Sequence, residues 1–178
     1  MAFASLRAYL EALRRDGDLK VVEAPVDPAL EIAEIHRRVI REEGPALLFT
    51  NVKGSPFPVV TNLFGAARRV ERAFGPRPER LTARIAALPE TLLPPRPSSL
   101  WREKDLLFSL LRTGTRAVSP RRAPVLEAFR DERPLAGLPA ITSWPEDGGP
   151  FITLPLVYTE HPDRKGQHNL GMYRMQVF

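Results

Sequence analysis

The chain has 178 residues, 43% of them hydrophobic, and a formal net charge of +5 carried almost wholly by arginine. That length allows one domain, or one domain and part of a second, and no window nears the roughly 18 continuous apolar residues of a membrane span. Cysteine is absent, which excludes disulfides, thiolate nucleophiles and cysteine-held zinc, and the three histidines, His36, His161 and His168, are too few and scattered for an all-histidine metal site unless another chain contributes.

The N-terminus "MAFASLRAYL" lacks a basic region followed by an apolar stretch, so a cytoplasmic protein is expected. From Ser5 to Arg15, "SLRAYLEALRR" places Leu6, Leu10 and Leu13 at helical spacing, with Ser5 as N-cap and Asp16-Gly17-Asp18 as the stop. "LKVVEAPV" reads as a strand, after which Asp27-Pro28 caps and starts a helix burying Ile32, Ile35 and Val39. Gly44-Pro45 ends it, and "ALLFTNV" and "FPVVTNLFG" form two strands around the Lys53-Gly54 turn. Helices are predicted over Gly65 to Phe74 and Arg80 to Leu88, and the order β-α-β-β-α marks a mixed α/β domain at 1–88.

Residues 89–137 form a proline-rich linker and helical arm. "PETLLPPRPSSLWRE" cannot hold a regular element for long. A helix follows over Lys104 to Arg112, then basic residues at Arg112, Arg116, Arg121 and Arg122. From 138 to 178 the pattern changes to turns and strands: "LPAITSW", the turn "PEDGGP", "FITLPLVYT", the turn "HPDRKGQ" and "NLGMYRMQVF". So few strands are marginal alone and must lean on the first domain or on another chain. The fold class is α+β.

The final segment carries the densest chemistry. Arg174 suits a bidentate clamp on a carboxylate or phosphate, and the amide oxygen of Asn169 suits a hard cation such as magnesium or manganese. In an ideal strand the two would point to opposite faces, because their separation is odd. A bend at Gly171 would let them share a cavity. The ordinary reading is a surface or ion-paired arginine and a turn asparagine. In "SWPEDGGP", Trp144 could plug the core, Glu146 and Asp147 could be solvated, and Gly148 and Gly149 could admit a ligand.

"LPAITSWPEDGGPFITLPLVYTEHPD" running into "QHNLGMYRMQ" resembles the hallmark region of the UbiD family of prenylated-flavin-dependent decarboxylases, the polyprenyl-hydroxybenzoate carboxy-lyases and relatives. "GDLKVVEAPVDPALEIAEI", "GPALLFTNVKG" and "PVVTNLFG" are similar to that family's opening α/β domain, so the resemblance covers essentially the whole chain. It implies that 138–178 are the opening strands of a split β-barrel flavin-binding domain, and that the cofactors are prenylated FMN and a divalent metal, manganese or magnesium. Asn169 matches the asparagine that binds the metal at the cofactor phosphate. Arg174 matches the arginine that holds the substrate carboxylate, Thr153 a threonine near the cofactor, and Met172 and Tyr173 the segment lining it.

The resemblance also implies an aromatic carboxylic acid as substrate, a flavin prenyltransferase as cofactor supplier, a homo-oligomer, and a setting in quinone biosynthesis. The family's remaining metal ligands, a histidine and a glutamate, and the glutamates that partner the arginine lie beyond these motifs. The 178 residues alone are therefore expected to be catalytically incompetent. Two other classes fit less well: a non-catalytic assembly module pairing through the edge of "LGMYRMQVF", and a nucleic-acid binder using the arginines near 112 to 122 and Trp101. No nucleic-acid motif supports the last.

Overall fold

The structure, a computed structural model, describes residues 3–75, 78–94, 96–111, 118–128, 135 and 137–178. Two compact units emerge, one of Met1–Ala73 with Leu135–Phe178, the other of Phe74–Pro134.

In the first unit, α1 (Leu6–Arg15) opens as the sequence implies, with the Ser5 hydroxyl accepting from the Ala8 N–H. Its buried face differs from the expected leucine stripe. Tyr9, Ala12 and Leu13 are buried whereas Leu6 is exposed, because the Tyr9 hydroxyl donates to the Leu63 and Arg69 carbonyls and fixes the helix's rotation. Strand β1 (Leu19–Val22) pairs in parallel with β2 (Ala46–Phe49), which pairs antiparallel with β3 (Val59–Thr61). The connection from β1 to β2 contains α2 (Glu31–Arg41).

Alternation in β2 builds two cores. Leu47 and Phe49 join Val26, Ile32 and Val52, with Ile35 and Val39 packed against them, whereas Ala46 joins Tyr9 and Leu13. A third helix, α3, spans Ala67–Phe74, opening just inside the expected start at Gly65.

Helix α2 starts later than Asp27-Pro28 suggests. Asp27 Oδ1 accepts from the Ala29 N–H and Glu31 Oε2 from the Asp27 N–H, so the segment is a turn before it is a helix. Ala29 then bridges Thr142, with Leu30 N–H donating to the Thr142 carbonyl and Thr142 N–H to that of Pro28. This bridge holds Leu30 at φ 69°, a left-handed conformation that residues with a Cβ avoid.

The same bridge joins the C-terminal strands to the N-terminal sheet. Ile141 packs on the Ile32–Phe49 core, and the Ser55 hydroxyl donates to the Gly137 carbonyl. The later strands are β4 (Phe151–Ile152), β5 (Leu156–Glu160), β6 (His168–Met172) and β7 (Met175–Gln176), with β4 on β7 and β5 on β6, all antiparallel.

The second unit contains α4 (Pro78–Ala86), α5 (Leu88–Leu92), α6 (Pro97–Arg102) and α7 (Lys104–Leu111). The proline-rich stretch thus holds two short helices, of 5 and 6 residues. Each has proline in its first turn, where the missing N–H costs nothing. Arg84 Nη2 meets Glu103 Oε2 at 2.8 Å, and the Lys104 ammonium lies 4.3 Å above the Trp101 ring. Arg121 and Arg122 sit in an exposed single turn, Pro120–Arg122; Arg112 and Arg116 lie outside the described residues.

One buried charge holds the end of the first sheet. Arg69 is fully buried on α3, and its Nη1 meets Asp18 Oδ1 at 2.8 Å, while Nε and Nη2 have no partner. Arg68 makes two further contacts to the same carboxylate. The hydrogen bond from Arg68 and the positive charge of Arg69 hold the Asp18 carboxyl below its ordinary value of 3.8, against the opposing effect of burial.

Asp18→Ala is expected to cost about 3–5 kcal/mol, because it leaves a buried cation uncompensated. Arg69→Met, which removes the charge and its unmet hydrogen bonds together, should cost less; urea midpoints compare the two. Since folding lowers this carboxyl's affinity for protons, its stabilisation is complete above the unfolded-state value and lost as pH falls through the folded one. Asp18→Asn should flatten that acid limb.

Candidate functional site

The two longest strand patterns of the C-terminal segment are each interrupted once, and at the same place. Ile152 stands opposite Met175 and Leu156 opposite Met172, so three residues, Thr153, Leu154 and Pro155, face only two, Tyr173 and Arg174. The Tyr173 N–H still reaches the Pro155 carbonyl at 3.2 Å. The extra residue therefore lies across from the terminal strand, not in it.

This corrects the bend expected at Gly171. Gly171 stays in register opposite Val157. A Cβ there would come within 2.5 Å of Tyr173 Cε2, so the glycine seats the Tyr173 ring instead of kinking the chain.

Arg174 emerges beside the interruption and turns toward the loop before β4. Its Nη2 meets Asp147 Oδ2 at 2.6 Å, and the guanidinium carbon lies 3.6 Å from the centre of the Phe151 ring. The Asp147 side chain is only 9% exposed, against 39% for Arg174. Oδ2 also accepts from the Ser143 and Trp144 N–H groups, both at 3.1 Å. The Arg174 hydrogen bond above all, and then these two amides, hold the Asp147 carboxyl below its ordinary range, with partial burial opposing.

Two residues on, Gln176 Nε2 donates to the Gly148 carbonyl at 2.7 Å, and Val177 N–H donates to that of Pro150. The loop at 143–150 is thus tied to the terminal strand by a charge pair, a side-chain amide and a backbone bond. Three expectations change accordingly. Asp147 is an ion-paired cap, not a solvated acid. A Cβ at Gly148 would meet Gln176 Nε2 at 3.0 Å, so that glycine makes room for Gln176 and not for a ligand. Trp144 is 60% exposed and plugs no core.

An open cleft of about 250 Å³ lies beside this clamp, lined by residues including Leu138, Ile141, Phe151, Thr153 and Pro155. Phe151 is shared by the cleft and the Arg174 platform. Thr153 lines the cleft, and the Tyr173 backbone N–H donates to the carbonyl of Pro155, another lining residue. Thr153 thus belongs to the cleft, whereas Arg174 touches it only through Phe151 and Tyr173 only through a backbone bond to Pro155.

Asn169 is not among them. It stands on β6 opposite Thr159, exposed, and its neighbours are not those of Arg174. Met172 is also exposed, opposite Leu156. Among the described residues no group of three or more His, Cys, Asp or Glu could hold a metal ion. One exposed amide oxygen is not a metal site, so these residues by themselves do not fit the divalent cation. An apolar cleft next to a fixed guanidinium does fit a flat aromatic group and a carboxylate.

The residues missed from sequence were Asp147, Phe151 and Gln176. A signal existed: an arginine in a strand needs a carboxylate, and the "PEDGGP" turn was the nearest source outside its own hairpin.

The family model described as the 3-octaprenyl-4-hydroxybenzoate carboxy-lyase N-terminal domain matches residues 10–88, and that described as the enzyme's Rift-related domain matches residues 116–178. The chain belongs to the UbiD family. It is 50% identical over 173 residues to a Chlamydia pneumoniae protein named as part of a 4-hydroxybenzoate decarboxylase, covering 97% of this chain and 29% of that protein. It therefore spans less than a third of that curated relative's length.

Among solved structures, an evolved dimeric form of the UbiD-class enzyme HmfF from Pelotomaculum thermopropionicum, in complex with prFMN, superposes with a TM-score of 0.74 at 33% identity, over 98% of this chain and 36% of that one. The vanillic acid decarboxylase of Sedimentibacter hydroxybenzoicus gives a TM-score of 0.75 at 25% identity, over 100% of this chain and 37% of that one. UbiD relatives thus carry decarboxylase names and, in HmfF, a bound flavin. Among the described residues no helix is long and apolar enough to cross a membrane.

Two outcomes test this geometry. Arg174→Met should raise the Asp147 carboxyl toward its ordinary range without restoring it fully, because the Ser143 and Trp144 amides remain; carboxyl carbon NMR against pH reads this. Gly171→Ala should leave the unfolding midpoint within about 1 kcal/mol, since a side chain and not backbone must move, yet shift the Tyr173 ring resonances.

Proposed function

We propose that the full-length protein carrying this sequence removes carbon dioxide non-oxidatively from an aromatic or unsaturated carboxylic acid, with Arg174 holding the substrate carboxylate. The observation carrying this reading is the placement of Arg174, its guanidinium stacked on Phe151, a residue that also lines an apolar cleft, with only Nη2 hydrogen-bonded among the described residues. Relatives named for 4-hydroxybenzoate and vanillic acid support an aromatic acid. The octaprenyl hydroxybenzoate in the family description supports a hydroxybenzoate skeleton, and a role in quinone biosynthesis is proposed with it.

Prenylated FMN, when bound, supplies the electron sink that amino-acid side chains lack for carbanion character at the substrate ring. This chain's own residues bind and orient. Arg174 takes the carboxylate and keeps it ionised, which favours its departure as carbon dioxide. Phe151 and the cleft give apolar surface for the ring, and Thr153, Met172 and Tyr173 line the cofactor side. Asn169 is proposed as one metal donor, the others coming from the rest of the full-length protein. Among the described residues none is placed as the acid that returns the proton.

A second reading, an assembly surface, rests on Leu156, Tyr158, Leu170 and Met172, which are all exposed and which the β5–β6 register places on one face. It is compatible with a homo-oligomeric enzyme.

In the full-length enzyme loaded with prenylated FMN, Arg174→Ala should lower kcat/KM by about 100-fold or more, the scale of a lost charge-assisted contact combined with misplacement. The 178 residues alone, given the same cofactor and manganese, should release no carbon dioxide. Full activity in the variant would overturn the role of Arg174, and turnover by the 178 residues alone would overturn the need for residues beyond them.

A further inference from the structure

We propose that Asp147 is a positioning residue, holding the Arg174 guanidinium over Phe151 so that a second, free edge is presented to the carboxylate of an aromatic acid. The inference rests on the reading of Arg174 given above and adds a residue to it.

The geometry supports presentation over simple pairing. A guanidinium has two bidentate edges that share Nη2. Among the described residues Asp147 engages Nη2 alone and Phe151 covers one face, which leaves one edge without a partner among them. The acceptor is itself immobile: Oδ2 takes the Ser143 and Trp144 amides, and the Gly148 carbonyl and the Pro150 carbonyl are tied to Gln176 and Val177. A long, flexible cation is thereby fixed at its end by a loop and on its face by a ring, before any ligand arrives.

Charge alone would argue against Asp147. Its carboxylate cancels the arginine's charge and repels an incoming anion, so a site built for attraction would omit it. What it gives is a single orientation, which sets the two possible roles apart by sign. A positioning carboxylate strengthens anion binding, and a competing one weakens it.

The test uses the full-length flavin-loaded enzyme, with benzoate and its neutral counterpart benzamide as probes, and binding followed by the change in flavin absorbance. Asp147→Ala should weaken benzoate about tenfold or more and leave benzamide unchanged, the scale expected for a hydrogen bond to a charged group. Asp147→Asn keeps an oxygen acceptor and should stay within about threefold of wild type. Should the alanine variant not fold, Asp147→Ser, which still serves the turn amides but cannot reach Arg174, carries the same expectation. Combining Asp147→Ala with Arg174→Ala should be no weaker than Arg174→Ala alone.

Tighter benzoate binding in Asp147→Ala would show competition and overturn the proposal. Equal losses for benzoate and benzamide would show a merely structural role and also overturn it. If Arg174→Ala weakens benzoate while Asp147→Ala does not, positioning fails and the role of Arg174 stands. If Arg174→Ala itself leaves benzoate unchanged, the role of Arg174 fails and positioning falls with it.

Discussion

A carboxylate at the end of a loop and a guanidinium in the last strand determine what this part of the molecule can do. Without Asp147, Arg174 is a long side chain beside an interrupted strand, free to sample many rotamers at a cost in entropy for any ligand that must order it. With Asp147 and Phe151 it has one position. The cleft acquires a defined polar point next to an apolar wall, which is the minimum for binding an aromatic acid in one orientation.

That clamp is only as steady as its foundation, and the foundation is the N-terminal sheet. Two-residue strands such as β4 and β7 have little stability of their own. They inherit it through Ile141 in the Ile32–Phe49 core, the Ala29–Thr142 bridge and the Ser55–Gly137 bond. Leu30 in its left-handed conformation is the local cost of that junction. The buried Asp18–Arg69 pair serves the other end of the same sheet, so the site depends on charge pairs at both extremes of one unit.

The local code of the N-terminal elements was legible because each residue type had one use. Ser5 capped, Asp16-Gly17 stopped α1, and β2 alternated between two cores. What was illegible needed long-range partners. Arg69 reads as a surface cation until Asp18, about fifty residues earlier in the chain, meets it. Leu6 has the right spacing, yet the Tyr9 hydroxyl turns the helix away from it. At the site, the family motif supplied Arg174, Asn169 and Thr153, and the apparent reason for Gly171 was a bend. The structure gives the glycine another task, seating the Tyr173 ring, and puts the irregularity in the facing strand. Asp147 was passed over because its neighbours in sequence made an ordinary turn; its partner lies 27 residues away.

The most direct measurement is a high-resolution structure of the full-length protein with benzoate bound. The account requires the benzoate carboxylate within hydrogen-bond distance of the free Arg174 edge, with the Asp147–Arg174 contact and the Phe151 stacking retained. Benzoate bound away from Arg174, or an Arg174 that has left Asp147 to reach it, would contradict the account.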